Sequence, residues 1–172
     1  GTVEHLGRPD DDWTVHLLDS GATTQTGGRI KRMLRYGRGK PIMATYGDGL
    51  SNVDLRKLLQ FHHRHGKAAT VTAVRPPARF GGLQFKRNRV SRFVEKPQIG
   101  EGWINGGFFV LEPRVADYID DNQTVFEQEP LERLAEEGQL MAYQHGDFWQ
   151  CMDTMRDLKL LDTLPGVILP QV

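Results

Sequence analysis

Pro41-Ile42-Met43-Ala44-Thr45-Tyr46, running into Gly47-Asp48-Gly49, is the stretch that decides the fold. Its apolar and β-branched residues, closed by a glycine-flanked turn, read as a buried strand with Asp48 at the carboxyl end. Open α/β sheets bind their ligands at that end of their strands. The flanking sequence should therefore alternate between strand and helix.

It does so on both sides. Upstream, Trp13-Thr14-Val15-His16-Leu17-Leu18 has strand composition and is broken by Asp19-Ser20-Gly21. A helix then follows, with Thr26 as its cap, Gly27 and Gly28 leaving its first amides uncovered, and Ile30, Met33 and Leu34 facing inward. Downstream, Asn52 or Asp54 caps a helix whose inner face is Leu55, Leu58, Leu59 and His62, and Gly66 ends it. Residues 69–74 form a strand ended by Pro76-Pro77, and residues 82–85 and 90–94 form a hairpin. Residues 107–111 form a strand, Pro113 opens a short helix, and residues 130–137 make a helix closed by Gly138. Residues 140–143 and 148–149 are late strands before a helix from about 154 to 164. No repeat or linker interrupts this series, so residues 1–172 read as one α/β domain with a mixed sheet.

Composition narrows the function class. The 172 residues hold 22 basic and 22 acidic side chains, a formal net charge of +0, so no long-range field recruits nucleic acid or an anionic membrane. A single cysteine, Cys151, excludes an internal disulfide framework and suits a reducing, cytoplasmic compartment. No apolar run approaches the ~20 residues that span a bilayer, and Gly1-Thr2-Val3-Glu4-His5 is no signal peptide.

Three charged residues stand on short stiff motifs far apart in sequence. They are Asp48 in its turn, Lys96 in Glu95-Lys96-Pro97, and Asp153 in Phe148-Trp149-Gln150-Cys151-Met152-Asp153-Thr154. Brought together, they make a divalent-metal and phosphate site. Two carboxylates about 4 Å apart repel by roughly 4 kcal/mol at an effective dielectric near 20, so their convergence calls for a cation or a shared proton. Mg²⁺ suits one or two carboxylates completed by waters and substrate phosphates.

The motifs together resemble the sugar-phosphate nucleotidylyltransferases, most closely the glucose-1-phosphate cytidylyltransferases. The resemblance rests on Thr26-Gly27-Gly28-Arg29, Tyr46-Gly47-Asp48-Gly49, Arg79-Phe80-Gly81, Glu95-Lys96-Pro97, Trp103-Ile104-Asn105-Gly106-Gly107, Glu127-Gln128-Glu129-Pro130 and Trp149-Gln150 with Met152-Asp153-Thr154. It implies a nucleotidyltransferase-like, Rossmann-like mixed sheet flanked by helices. It also implies a Mg²⁺-dependent reaction of CTP with α-D-glucose 1-phosphate that gives CDP-glucose and pyrophosphate, for deoxysugar and surface polysaccharide synthesis. By that likeness Asp48 and Asp153 hold the metal, and Lys96 binds the sugar phosphate from a loop stiffened by Pro97. Glu95, Asn105, Gly106 and Gly81 take the sugar, Thr26, Gly27 and Gly28 read the cytosine through backbone groups, and Tyr46 and Gly47 line the substrate site.

Plainer readings stand beside these. Thr26-Gly27-Gly28 can be a helix cap or a phosphate nest. His62, His63 and His65 read as a solvated helix terminus that complements the dipole. Phe108, Phe109, Phe148 and Trp149 read as core, and Cys151 as an inert small side chain. The family's N-terminal Gly-rich loop and its Lys-Pro have no counterpart, so the triphosphate half of the site is expected to be missing. Three readings therefore stay open: a cytidylyltransferase intact in its native context, an inactive sugar-phosphate-binding or oligomerising remnant, and a different metal-dependent sugar enzyme. Loss of a first strand and helix leaves a bare sheet edge, from which a homo-oligomer is expected.

Overall fold

The structure, a computed structural model, describes residues 14–76, 82–87, 89–94 and 102–164. Its elements in chain order are α1 (Thr26–Tyr36), β1 (Ile42–Thr45), β2 (Gly49–Ser51), α2 (Leu55–His65), β3 (Ala69–Val74), β4 (Gly82–Lys86), β5 (Arg89–Val94) and β6 (Ile104–Leu111). A 3-10 helix (Pro113–Tyr118), α3 (Glu129–Glu136), β7 (Leu140–His145), β8 (Trp149–Cys151) and α4 (Met155–Asp162) follow.

A four-stranded mixed sheet, ordered β1-β6-β3-β7, is the scaffold. β6 runs antiparallel to both β1 and β3, whereas β3 and β7 are parallel. Residues of β3 and β6 are mostly buried, as central strands covered on both faces must be. β1 differs from the sequence expectation of a buried strand. It alternates between half-buried and exposed and is an edge of this sheet among the described residues. Two separate two-stranded ribbons, β2-β8 and β4-β5, complete the strands.

The core is built where α1, the 3-10 helix and α3 press on the sheet. Leu34, Phe109, Leu111, Val115, Ile119, Phe126 and Leu134 are all buried in one cluster. At about 25 cal/mol per Å² of apolar surface, the burial of such side chains is the main force ordering these layers. Phe109 meets Phe126 edge-on, with ring centroids 5.6 Å apart. Phe109 is thus core as expected, while Phe148 and Trp149 lie on the β2-β8 side.

Two further expectations are corrected and one choice is settled. Residues 14–20 form no strand; Val15 and Leu17 are 70% and 81% exposed, and among the described residues no strand pairs with them. The cap of α1 is Gln25, and Thr26 is the helix's first residue with its hydroxyl spent elsewhere. The α2 cap resolves to Asp54, whose carboxylate accepts from the Lys57 N–H at 3.0 Å.

Of the histidine cluster His63 is exposed, as a solvated terminus requires, but His62 and His65 are drawn inward, His62 on the inner face read for it. His62 is buried, with Nδ1 2.8 Å from Thr70 Oγ1 and Nε2 3.2 Å from Glu112 Oε1. The Lys67 N–H donates to His65 Nδ1 at 2.9 Å, so His65 carries its proton on Nε2, 2.7 Å from Thr70 Oγ1. Proton direction then runs His65 to Thr70, Thr70 to His62, and His62 to Glu112. This neutral chain pins the end of α2 to β3 and to the end of β6.

Candidate active site

Asp48 and Asp153 come together through backbone pairing. β2 and β8 are antiparallel with Gly49 opposite Cys151, and the Met152 N–H donates to the Asp48 carbonyl at 2.8 Å. Asp48 directly precedes β2 and Asp153 lies two residues beyond β8, so the ribbon fixes both. A carboxylate oxygen of each, with Cys151 Sγ, lies within 4.8 Å of the others. Both aspartates are exposed. Two anionic oxygens from separate segments, open to solvent, form a donor set that fits a hard divalent cation keeping its waters.

Cys151 is drawn into this cluster. Its thiol donates to Asp153 Oδ1 at 3.0 Å. Burial, then that hydrogen bond and the charge of Asp48, push the thiol up to about 12 from 9.0. It stays protonated and unreactive, in keeping with the expectation of an inert side chain.

A second group of residues surrounds Tyr46. Glu127 accepts from Tyr46 Oη at 2.6 Å on one carboxylate oxygen and from Thr26 Oγ1 at 2.7 Å on the other. Burial, with that bond to Glu127, raises the Tyr46 phenol above its ordinary 10.0, so it remains a donor. Asn105 Nδ2 donates to Tyr46 Oη at 3.2 Å, and Asn105 Oδ1 accepts from the Gly107 N–H at 2.8 Å. Thr26, Glu127, Tyr46 and Asn105 are therefore one continuous chain joining α1, β1, β6 and the approach to α3.

Glycines let these segments meet. Gly107 has φ +79, and a Cβ there would stand 2.6 Å from the Tyr46 ring. Gly27 and Gly28 are buried, since a Cβ would meet Thr124 O at 2.6 Å and Asn122 Cα at 2.8 Å. The Gly27 N–H donates to Thr124 O at 3.0 Å. That amide is therefore not uncovered, and the Thr26 hydroxyl is engaged with Glu127. Gly106 is likewise committed, its carbonyl accepting from Trp149 Nε1 at 2.8 Å.

Of the remaining expected site residues, Gly47 lies in the turn before Asp48. Gly81, Glu95 and Lys96 fall outside the described residues. Glu127 received no role from the sequence; its motif, Glu127-Gln128-Glu129-Pro130, was visible, but nothing local showed that both oxygens would be engaged.

The profile of the nucleotidyl transferases matches residues 29–159, most of the chain and nearly all the elements just described. The chain belongs to the nucleotidyl transferase family. Within that family it is 48% identical over 155 residues to a glucose-1-phosphate cytidylyltransferase of Salmonella typhimurium, covering 90% of this chain and 60% of that enzyme. A probable glucose-1-phosphate cytidylyltransferase of Bacillus subtilis is 42% identical over 159 residues, with 92% and 62% covered. The chain thus spans about 60% of the length of these curated relatives. The crystal structure of a putative glucose-1-phosphate thymidylyltransferase from Bacillus anthracis superposes with a TM-score of 0.63 at 14% identity, covering 88% of this chain and 65% of that one, which shows the shared fold. This nucleotidyl transferase therefore has the expected mixed α/β architecture, with its aspartate pair beside the β2-β8 ribbon. Among the described residues no helix is long and apolar enough to cross a membrane.

Proposed function

We propose that this chain carries the metal and acceptor-sugar part of a glucose-1-phosphate cytidylyltransferase, which converts CTP and α-D-glucose 1-phosphate into CDP-glucose and pyrophosphate. The observation that carries the reading is the convergence of Asp48 and Asp153 on one solvent-open cluster, in a chain 48% identical to such an enzyme. Asp48 and Asp153 would hold Mg²⁺. When bound, the ion would offset the charge of the two anionic reactants.

The chain's own residues would position and neutralise. Asp48 and Asp153 stand at the carboxyl-terminal side of β1 and at the end of β8, held by the β2-β8 ribbon. Lys96 would meet the sugar phosphate as a point charge and Glu95 would accept sugar hydroxyls. Asn105 keeps one amide hydrogen beyond its bond to Tyr46 and can offer it to the sugar. The sugar phosphate is itself the nucleophile, so no side chain need remove a proton. Surface polysaccharide synthesis would be the consumer of the product, and the cytoplasm the site of the reaction.

Calorimetric titration tests the acceptor part. Glucose 1-phosphate should bind to the wild-type chain in Mg²⁺ and lose most of its affinity in Lys96→Ala, while cytidine nucleotides lose less. Equal weakening of both ligands would remove Lys96 from the role of acceptor-phosphate ligand.

A further inference from the structure

A cavity of about 160 Å³ lies between the start of α1 and the end of β1, lined among others by Thr26, Arg29, Ala44, Tyr46, Phe109 and Glu127. It is smaller than the ~300–1,000 Å³ of whole-ligand pockets and suits one edge of a ring. Its polar groups are the hydroxyls of Thr26, Thr45 and Tyr46, the Glu127 carboxylate and the Arg29 guanidinium, and the Thr45 hydroxyl donates to the Tyr46 carbonyl. The direction of every hydrogen bond among those groups is fixed.

An ionised carboxylate only accepts. Glu127 therefore takes the single hydroxyl hydrogen of Thr26 and that of Tyr46. Each hydroxyl is also held from behind, Thr26 Oγ1 by the Phe126 N–H at 2.9 Å and Tyr46 Oη by Asn105 Nδ2. Neither can turn its hydrogen outward without breaking a bond to the carboxylate. Arg29, the cation of the lining, directs Nε to Thr24 O at 2.9 Å and Nη1 to Ser20 Oγ, toward the preceding loop. What Thr26, Tyr46 and Glu127 leave to an incoming ligand is lone pairs.

We propose that Glu127 makes this cavity select an amino-bearing pyrimidine edge, cytosine over uracil, by drawing the hydroxyl hydrogens of Thr26 and Tyr46 away from the ligand. The inference rests on the nucleotide reading above and adds the residue that sets the base. The 4-amino group of cytosine is a donor and meets three acceptors; carboxylates are suited partners for it. Uracil presents a carbonyl at the same position, so its lone pairs would face lone pairs. A site built of one hydrogen-bond sense rejects the opposite sense far better than an apolar slot rejects a methyl group.

The test is calorimetry in Mg²⁺ with CMP, UMP and the monophosphate of 2-pyrimidinone riboside, which lacks any substituent at the 4-position. Wild type should bind CMP about tenfold more tightly than the pyrimidinone nucleotide, and UMP more weakly than either. In Glu127→Gln the amide can donate to one hydroxyl and free its hydrogen, so the CMP to UMP ratio should collapse to about one. Thr26→Val, which removes one acceptor and leaves Glu127, should weaken CMP without weakening UMP. Should Glu127→Gln fail to fold, the pyrimidinone comparison on wild type decides alone. CMP and pyrimidinone nucleotides binding equally, or a folded Glu127→Gln keeping the wild-type ratio, would overturn the inference and leave the nucleotide reading standing. No binding of any of the three would overturn both.

Discussion

The Met152 N–H donates to the carbonyl of Asp48 at 2.8 Å, and this bond, extending the β2-β8 ladder, sets the Asp153 carboxylate beside that of Asp48. The two residues are 105 positions apart, and neither strand carrying them exceeds four residues. The ribbon is too short to be stable alone. It holds because Trp149 ties it to the sheet through Gly106 O, and the Thr154 and Asp157 capping box fixes the start of α4 just beyond.

That geometry predicts how the aspartates behave when neutralised. Asp48→Asn and Asp153→Asn should each abolish Mg²⁺-dependent nucleotide binding in calorimetry. The metal-free melting temperature should stay level or rise, because a like-charge contact is relieved. Wild-type Mg²⁺ affinity in either variant would remove the pair from the metal site.

The fold was readable in the sequence wherever strand and helix periods were long, and unreadable where a partner decides the state. β3 and α2 stand where their patterns put them, since Ala69–Val74 is continuously apolar or β-branched and Asp54 and Gly66 punctuate the helix. Residues 14–18 have equal strand character but, among the described residues, no adjacent ladder, and they are irregular. The aspartate pair was legible because both motifs end strands. Glu127 was not, since its partners Thr26 and Tyr46 lie 101 and 81 residues away. His62 was legible as an inner-face residue, but its partners were not, since β6 and β3 bring the Glu112 carboxylate and Thr70 to it from far along the chain.

The buried histidines predict a pH dependence of stability. Burial lowers the folded-state values of both His62 and His65 below the ordinary 6.5. As pH falls below about 6.5 the unfolded chain takes up protons first, so unfolding is favoured; the loss is complete once pH lies below the folded-state values. The melting temperature should therefore be level above about pH 7.5 and fall as the pH drops below about 6.5. His62→Gln should flatten that fall. A melting temperature that rises on acidification would contradict the neutral His65-Thr70-His62 chain.

Gly107→Ala should be severe for its size. It places a Cβ 2.6 Å from the Tyr46 ring at φ +79, so both backbone strain and a clash oppose it. A loss of roughly 2–3 kcal/mol is expected from chemical denaturation followed by tryptophan fluorescence. A loss within about 0.5 kcal/mol would mean that Tyr46 is free to move away.

The edge position of β1 predicts self-association through a second copy of this chain. Its Met43 is 43% exposed, and its outer ladder is unpaired among the described residues. Such edges pair with one another unless blocked. Light scattering should report a dimer or larger, and Met43→Lys should shift it toward monomer. A monomer at all concentrations would refute the pairing.

The most direct test of the whole account is calorimetric titration of CDP-glucose into the chain, with Mg²⁺ and again with the metal chelated. The account predicts saturable, one-site binding in Mg²⁺ that is lost on chelation and is tighter than the binding of UDP-glucose. Absence of binding in Mg²⁺, or binding indifferent to chelation, would contradict it.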